Sequence, residues 1–174
     1  PNQIMGVYDK SLVEPIANVL KGLNSRHVMV VHSEDGLDEF SIANKTYVAE
    51  LKDNNISTYT VHPHDFGFEV GSIDSIKAEN ADQSLALINE AFSGKKGVAR
   101  DIIALNAGAA IYVSGLVNSL DEGIINANQI LSDGTAKEKP NSWTPIISNP
   151  KVISTSGLLA FPSNINRAIP AGNA

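Results

Sequence analysis

One short run of residues constrains the fold of this chain more than any other. Residues 26–32 read RHVMVVH, a run rich in β-branched side chains that lies between Asn-Ser at 24–25 and the turn-forming Asp-Gly at 35–36. A short apolar run between turn residues is typical of a strand that is buried on both faces. We therefore predict a buried strand at this point of the chain.

The residues before this strand follow a helical pattern. Ser11 and Glu14 have the spacing of a capping box, and Pro15 stands near the first turn. The pattern predicts a helix over residues 11–23, and a helix followed by a buried strand indicates an α/β layer. The apolar residues that recur at helical spacing are Leu12, Ile16, Val19 and Leu23.

Two more strands are predicted after the first. Residues 46–51 and 57–61 are strand candidates on either side of a turn cluster, Asp-Asn-Asn at 53–55. This arrangement predicts an antiparallel hairpin attached to the sheet. The predicted fold class is therefore α/β, with a mixed sheet flanked by helices.

Three helices are predicted beyond the hairpin. The first is capped by Asn80 and closed near Gly94, the second runs over residues 98–117, and the third starts at a second capping box, Ser119 with Glu122. Small residues in the second helix would let neighbouring elements pack closely. These residues are Ala104, Ala107, Gly108 and Gly115.

The composition changes after Lys139. Residues 140–174 contain none of the 19 acidic residues of the chain and show no sustained helical or strand period. Three interpretations are open: a loosely attached extension, one or two strands that return to the sheet, or sequence foreign to the domain. We favour the last, so the predicted domain spans residues 1–139.

The composition also argues against several classes of protein. The formal net charge is −6, and the basic residues do not cluster, which disfavours a surface that binds nucleic acid. The chain has no cysteine, so thiolate catalysis and Cys-ligated zinc are excluded. The longest apolar stretch, residues 102–117, is too short to span a membrane and is interrupted by Asn106. We expect a cytoplasmic protein without a membrane or nucleic-acid partner.

An acidic loop follows the predicted buried strand directly. The carboxyl ends of strands are where ligands collect in open α/β sheets, and this loop carries the adjacent carboxylates Asp38 and Glu39. Such a pair suits Mg²⁺, which prefers oxygen ligands and often bridges one or two carboxylates to substrate phosphates. From spacing alone, a solvated acidic turn is the more common case.

Four blocks of sequence occur in a fixed order and carry a family resemblance. They are GVYDKSLVEPIANVLK at 6–21, VVHSEDGLDEFS at 30–41, VHPHDFGF at 61–68 and ARDIIALNAGAAIYVSG at 99–115. Together they resemble successive blocks of anthranilate phosphoribosyltransferases. The resemblance covers residues 3–137, and an ordered series of blocks is far more specific than any single motif.

The resemblance implies a fold, an activity and a metal. The family has a small helical domain and a larger α/β domain that resembles class II nucleoside phosphorylases, with the substrates in the cleft between them. It transfers a phosphoribosyl group from phosphoribosyl diphosphate to anthranilate in tryptophan biosynthesis, and a homodimer is compatible with it. The DGLDE block places the family's Mg²⁺-binding acidic pair on Asp38 and Glu39, which reverses the interpretation from spacing alone.

Other family elements do not occur in these residues. The Gly-rich GTGGD loop that cradles the diphosphate, and the arginine that recognises the anthranilate carboxylate, lie upstream of the block that opens this chain. We therefore expect the 174-residue chain on its own to have no transferase activity. The sequence N-x-S-T at 55–58 comes after the acidic loop, and we assign it no role in the site.

Three further groups of residues receive structural interpretations. The segment 62–65 (HPHD) is a turn that leaves a strand rather than a metal site. His32 is a packed or hydrogen-bonded histidine rather than a phosphate ligand, and Arg100 with Asp101 forms a structural ion pair or cap in preference to a role in ordering the site.

Two alternative functions stay in view. A nucleic-acid-binding relative of the family would show a basic surface, which the net charge of −6 disfavours. A pyrimidine nucleoside phosphorylase-like enzyme would use inorganic phosphate and would not need the acidic pair, so Asp38 and Glu39 disfavour it.

Overall fold

A computed structural model describes residues 1–138. Within them lie a four-stranded sheet, five α-helices and three short 3-10 helices. The strands are β1 (Asn2–Gly6), β2 (His27–Ser33), β3 (Thr46–Lys52) and β4 (Asn55–Val61). The α-helices are α1 (Val13–Gly22), α2 (Ala81–Phe92), α3 (Val98–Ser114), α4 (Leu120–Ser132) and α5 (Thr135–Glu138). The 3-10 helices are Lys10–Leu12, Pro63–Phe66 and Ile73–Ile76.

The sheet is mixed, as predicted. Its order is β1-β2-β3-β4, in which β1 pairs with β2 in parallel and the other neighbours are antiparallel. The turn between β3 and β4 places Asp53 and Asn54 at positive φ, 49° and 62°, which Asn and Asp tolerate better than other residues with a side chain. The predicted hairpin is therefore confirmed.

Strand β2 is buried on both faces. Val28 and Val30 belong to the core cluster that includes residues of α1, whereas Met29 and Val31 belong to the cluster that includes residues of α3 and α4. All four side chains are fully buried, which explains why this strand is a continuous apolar run instead of an alternating one.

The start of α1 differs from the prediction. Asp9 caps the preceding 3-10 helix by accepting a hydrogen bond from the Ser11 backbone (2.8 Å), and Leu12 precedes α1 without a side-chain cap. The capping box predicted at Ser11 and Glu14 was therefore wrong. The predicted apolar face is also only partly buried, because Val19 and Leu23 are exposed.

The later helices largely follow the predictions. Asn80 caps α2 by accepting a hydrogen bond from the Gln83 backbone (2.9 Å), and Ser119 caps α4 in the same way through Glu122 (3.2 Å). Helix α3 ends at Ser114 and not at residue 117, because Gly115 turns the chain at φ 82°. Gly115 is thus a helix end, whereas Gly108 does allow close packing: a Cβ atom there would lie 2.5 Å from the Ile124 Cα in α4.

Strand β1 was missed by the sequence analysis. The segment Asn2–Gly6 is short and mixed in polarity, and its pairing partner begins only at His27. The predicted tail, residues 140–174, lies outside the described residues.

Candidate functional site

The acidic loop lies at the carboxyl edge of the parallel strand pair. Because β1 and β2 run in the same direction, the loop after β2 comes to lie against the end of β1. A Cβ atom at Gly6 would overlap the Asp38 carbonyl oxygen, so only glycine permits this approach. The His32 Nδ1 and the Val7 carbonyl oxygen, 2.9 Å apart, join the two strand ends. The interpretation of His32 as a hydrogen-bonded histidine is thus confirmed.

Hydrogen bonds within the loop fix its path. The Ser33 N–H donates to the Leu37 carbonyl oxygen (2.8 Å), and Gly36 adopts φ 92° between them. The Asp35 carboxylate accepts from the Leu37 N–H (3.3 Å) and from the Ser41 hydroxyl. The Asp35 carboxylate therefore shapes the loop, whereas neither Asp38 nor Glu39 makes a side-chain hydrogen bond among the described residues.

A side chain from α3 holds the far end of the loop. The Asn106 Oδ1 accepts from the Phe40 N–H (3.0 Å), and the Asn106 Nδ2 donates to the Phe40 carbonyl oxygen (2.8 Å). The Phe40 ring is fully buried in the core beneath the sheet. Phe40, which follows Glu39, is therefore held both through its backbone and through its side chain.

The two carboxylates differ in their surroundings. Asp38 is exposed, whereas Glu39 is half-buried. Burial, followed by the adjacent charge of Asp38, raises the pKa of Glu39 from its ordinary value of 4.5 to about 7. None of the ion pairs between residues 1 and 138 involves either carboxylate, and the loop's Lys45 is paired with Glu34 (Nζ to Oε1, 2.9 Å). Within residues 1–138, the pair thus brings two carboxyl groups together without a Lys or Arg partner.

This donor set fits Mg²⁺. In the part of the chain that the structure describes, no three His, Cys, Asp or Glu side chains are grouped as a metal cage. Zinc sites normally take three or four protein ligands, whereas Mg²⁺ keeps several waters and binds through one or two carboxylates together with substrate oxygens. Asp38 and Glu39 are the residues that could hold such an ion.

The other sequence candidates have structural roles. His62 caps the 3-10 helix after β4, and the Asp65 carboxylate completes a capping box by accepting from the His62 N–H (2.7 Å), which confirms the turn interpretation. Arg100 lies 3.5 Å from Asp101 and donates to the Ser132 hydroxyl (2.7 Å), so it ties α3 to α4.

Sequence reasoning missed two sets of contacts. The first is the bond between Asn106 and the loop, for which the only signal was a polar residue inside an apolar helix. The second is a buried polar cluster at the opposite end of the sheet, where Glu50 is the central acceptor. Its signal was a glutamate within a strand whose neighbours are apolar. The cluster consists of His27, Glu50, Lys52, Tyr59 and Tyr112.

Between residues 1 and 138, none of the helices has both the length and the apolar character needed to cross a membrane.

The chain is similar to known proteins over almost all of its described residues. Residues 1–137 match a family described as "Glycosyl transferase family, a/b domain". The anthranilate phosphoribosyltransferase of Ruthia magnifica subsp. Calyptogena magnifica is 61% identical over 139 residues, which cover 80% of this chain and 41% of that protein. The enzyme of the same name from Marinomonas sp. (strain MWYL1) is 58% identical over 139 residues, covering 79% and 40%.

Solved structures show the same fold. Anthranilate phosphoribosyltransferase from Thermus thermophilus superposes with a TM-score of 0.69 at 30% identity, over 76% of this chain and 39% of that one. The Saccharomyces cerevisiae enzyme in complex with PRPP and Mg gives a TM-score of 0.68 at 26% identity, over 79% and 40%. The chain thus spans about two fifths of the length of these relatives.

The predicted α/β class, with a mixed sheet and flanking helices, is confirmed by these structures. With the match over residues 1–137, the chain belongs to the glycosyl transferase family, whose a/b domain it carries.

Proposed function

We propose that this chain supplies the metal-binding acidic edge of an anthranilate phosphoribosyltransferase. The reaction moves a phosphoribosyl group from phosphoribosyl diphosphate to the amine of anthranilate and releases diphosphate. The observation that carries the proposal is the Asp38 and Glu39 pair. It lies in a fixed loop at the carboxyl edge of the sheet, and no ion pair within residues 1–138 neutralises it.

The roles of the two residues follow from their surroundings. Asp38 and Glu39 would hold Mg²⁺, which supplies charge neutralisation for the leaving diphosphate when it is bound. The raised pKa of Glu39 means that a substantial fraction of its side chains carry a proton near neutral pH, and this proton must leave before the carboxylate can coordinate a cation. Asp38, which is exposed, can reach a ligand from the solvent side of the loop.

Named relatives support the same substrates. The S. cerevisiae enzyme has been solved with PRPP and Mg and, separately, with 4-fluoroanthranilate. By this similarity we propose phosphoribosyl diphosphate, anthranilate and Mg²⁺ as the ligands of the intact enzyme, and a homodimer as its assembly. We also propose a cytoplasmic location, and an α/β domain that ends at residue 139, so that residues 140–174 stay outside it.

A metal titration tests the site directly. We expect Mn²⁺, a paramagnetic substitute for Mg²⁺ with the same preference for oxygen ligands, to broaden the amide NMR signals of the acidic loop in the 174-residue chain. Asp38→Asn and Glu39→Gln should each weaken this binding about tenfold or more, because each removes a charged ligand. Asp53→Asn, in the turn between β3 and β4, is the matched control. Equal Mn²⁺ affinity in all variants would contradict the proposal.

A chimera tests the reaction. Residues 1–137 would replace the matching segment of the R. magnifica relative, and formation of phosphoribosyl anthranilate would be followed by fluorescence. We expect an active chimera that loses activity with Asp38→Asn and shows no phosphorolysis of uridine with inorganic phosphate. A folded but inactive chimera, or one that cleaves uridine, would overturn the assignment. The 174-residue chain alone should form no product, because it contains no Gly-rich diphosphate loop.

A further inference from the structure

Asn106 is a buried amide whose hydrogen bonds cross from one element to another. Its Nδ2 donates to the Phe40 carbonyl oxygen (2.8 Å) and to the Ile102 carbonyl oxygen of its own helix (3.0 Å). Its Oδ1 accepts from the Phe40 N–H (3.0 Å), across 66 residues of sequence. Only 8% of its surface is exposed, so these bonds are shielded from competing water.

The geometry of this contact fixes an orientation as well as a position. Both the N–H and the carbonyl oxygen of Phe40 bind the same amide, so the backbone can neither rotate nor slide without breaking a buried bond. The N–H of Phe40 belongs to the peptide bond that joins it to Glu39. Asn106 therefore fixes the peptide group that joins Glu39 to Phe40.

On its opposite side, the loop packs closely against the end of β1. The Asp38 carbonyl oxygen occupies the space that a Cβ atom on Gly6 would need. The acidic pair is thus confined between β1 on one side and α3 on the other. Replacing a residue that orients metal ligands in this way typically weakens metal affinity by about 10–100-fold.

We infer that Asn106 is the positioning residue of the Asp38 and Glu39 pair and sets its affinity for a divalent cation. This inference rests on the proposed function, since it assumes that the pair binds a metal. Asn106 does not touch the metal and acts through the Phe40 backbone.

Asn106→Ser is the sharpest test. A serine hydroxyl can bond back to the Ile102 carbonyl oxygen, as serine does in helices, but it is too short to reach Phe40. We expect the variant to fold, to bind Mn²⁺ about tenfold more weakly, and to lose the protection of the Phe40 amide against hydrogen exchange. Asn106→Asp is a second variant. It retains the acceptor, loses the donor and adds a negative charge, so weaker Mn²⁺ binding by it would be due to position and not to charge.

Tyr112→Phe is the matched control. Tyr112 lies on the same helix, is similarly buried and bonds to the sheet through Glu50 (2.7 Å), but at the end away from the acidic loop. We expect it to lower the stability of the protein and to leave both Mn²⁺ affinity and Phe40 exchange unchanged.

The outcomes separate the inference from the proposed function. Unchanged Mn²⁺ affinity in both Asn106 variants would overturn the inference, and so would an equal loss in Tyr112→Phe, because that loss would come from general loosening of α3. If the unmodified chain does not bind Mn²⁺, or if Asp38→Asn and Glu39→Gln bind it equally well, the metal site itself is wrong and the inference fails with it.

Discussion

The two ends of the sheet each hold a glutamate away from water, but in opposite electrostatic states. Glu50 accepts hydrogen bonds from the Tyr112 and Tyr59 hydroxyls (2.7 and 2.8 Å) and lies 2.8 Å from the His27 Nε2. Burial alone would raise the pKa of Glu50, but these three partners outweigh it and hold the pKa below its ordinary value. Glu39 is also partly buried, but its charged neighbour is the negative Asp38. Both effects raise its pKa.

The difference shows which of the two carboxylates is stabilised by the protein's own hydrogen-bond donors. At the Glu50 end, donors from β2, β4 and α3 surround one carboxylate, so the cluster is complete without a ligand. At the Glu39 end, the loop is held firmly, while no Lys or Arg in the described part of the chain pairs with its carboxylates. A rigid site with an unfavourable charge is typical of functional sites, where a ligand provides the missing interaction.

The largest predicted effect tests whether the two ends are independent. Glu50→Leu leaves His27, Tyr59 and Tyr112 without their shared acceptor, so we expect a loss of about 3–5 kcal/mol in the free energy of unfolding. Urea denaturation measures this loss. Glu50→Gln, which retains acceptor capacity, should lose less. Mn²⁺ affinity of the folded protein should not change, and a parallel fall would show that the two ends are coupled.

A smaller effect is expected from crowding the acidic end. Gly6→Ala places a methyl group where the Asp38 carbonyl oxygen lies, so the loop must shift. We expect a loss of about 1–3 kcal/mol together with weaker Mn²⁺ binding. Gly22→Ala is the control, since a Cβ at that helical position meets no atom within 4 Å and should stabilise the chain slightly. Unchanged metal affinity in Gly6→Ala would show that the contact with β1 does not position the pair.

The pH dependence of stability should have opposite signs at the two ends. Because the folded-state pKa of Glu39 is about 7 and its ordinary value is 4.5, its contribution is complete below pH 4.5 and is lost as the pH rises to about 7. For Glu50, whose pKa is lowered, the contribution is present above its ordinary value and is lost as the pH falls through the folded-state pKa.

Unfolding free energies of the unmodified chain and of Glu39→Gln measure this difference. The variant should be the more stable protein above pH 7, and its stability should not show the decline between pH 4.5 and 7. Saturating Mg²⁺ should reduce the same decline in the unmodified chain, because the cation favours the ionised carboxylate. Identical pH profiles for the two proteins would show that ionisation of Glu39 does not destabilise the folded protein.

The smallest effect concerns the edge of the Glu50 cluster. The Lys52 Nζ donates to the Tyr112 hydroxyl (3.2 Å) from a half-exposed position. Lys52→Met should lower stability by only about 0.5 kcal/mol, because water replaces much of this interaction. A loss as large as that of Glu50→Leu would mean that the lysine, and not the ring of donors around Glu50, stabilises the cluster.

Much of the fold was predictable because its signals are local. The apolar run of β2, the turn at Asp53 and Asn54, and the cap at Asn80 each act within a few residues. Two predictions of helix ends were wrong because a neighbouring residue determines the end instead. Asp9 caps the first turn in place of Ser11, and Gly115 ends α3 where the apolar pattern continues. Strand β1 carries a weak pattern and depends on pairing with β2, so its own residues could not identify it.

By itself the sequence determined the α/β class, the buried central strand and the presence of two adjacent carboxylates after it. Only the tertiary structure decided that Glu39 has no ion-pair partner among residues 1–138, that Glu50 has three partners, and that Asn106 holds the acidic loop. The physical reason is that these properties depend on distances between residues far apart in the chain. Asn106 is 66 residues from Phe40, and Tyr112 is 62 residues from Glu50, so no pattern within one element encodes either contact.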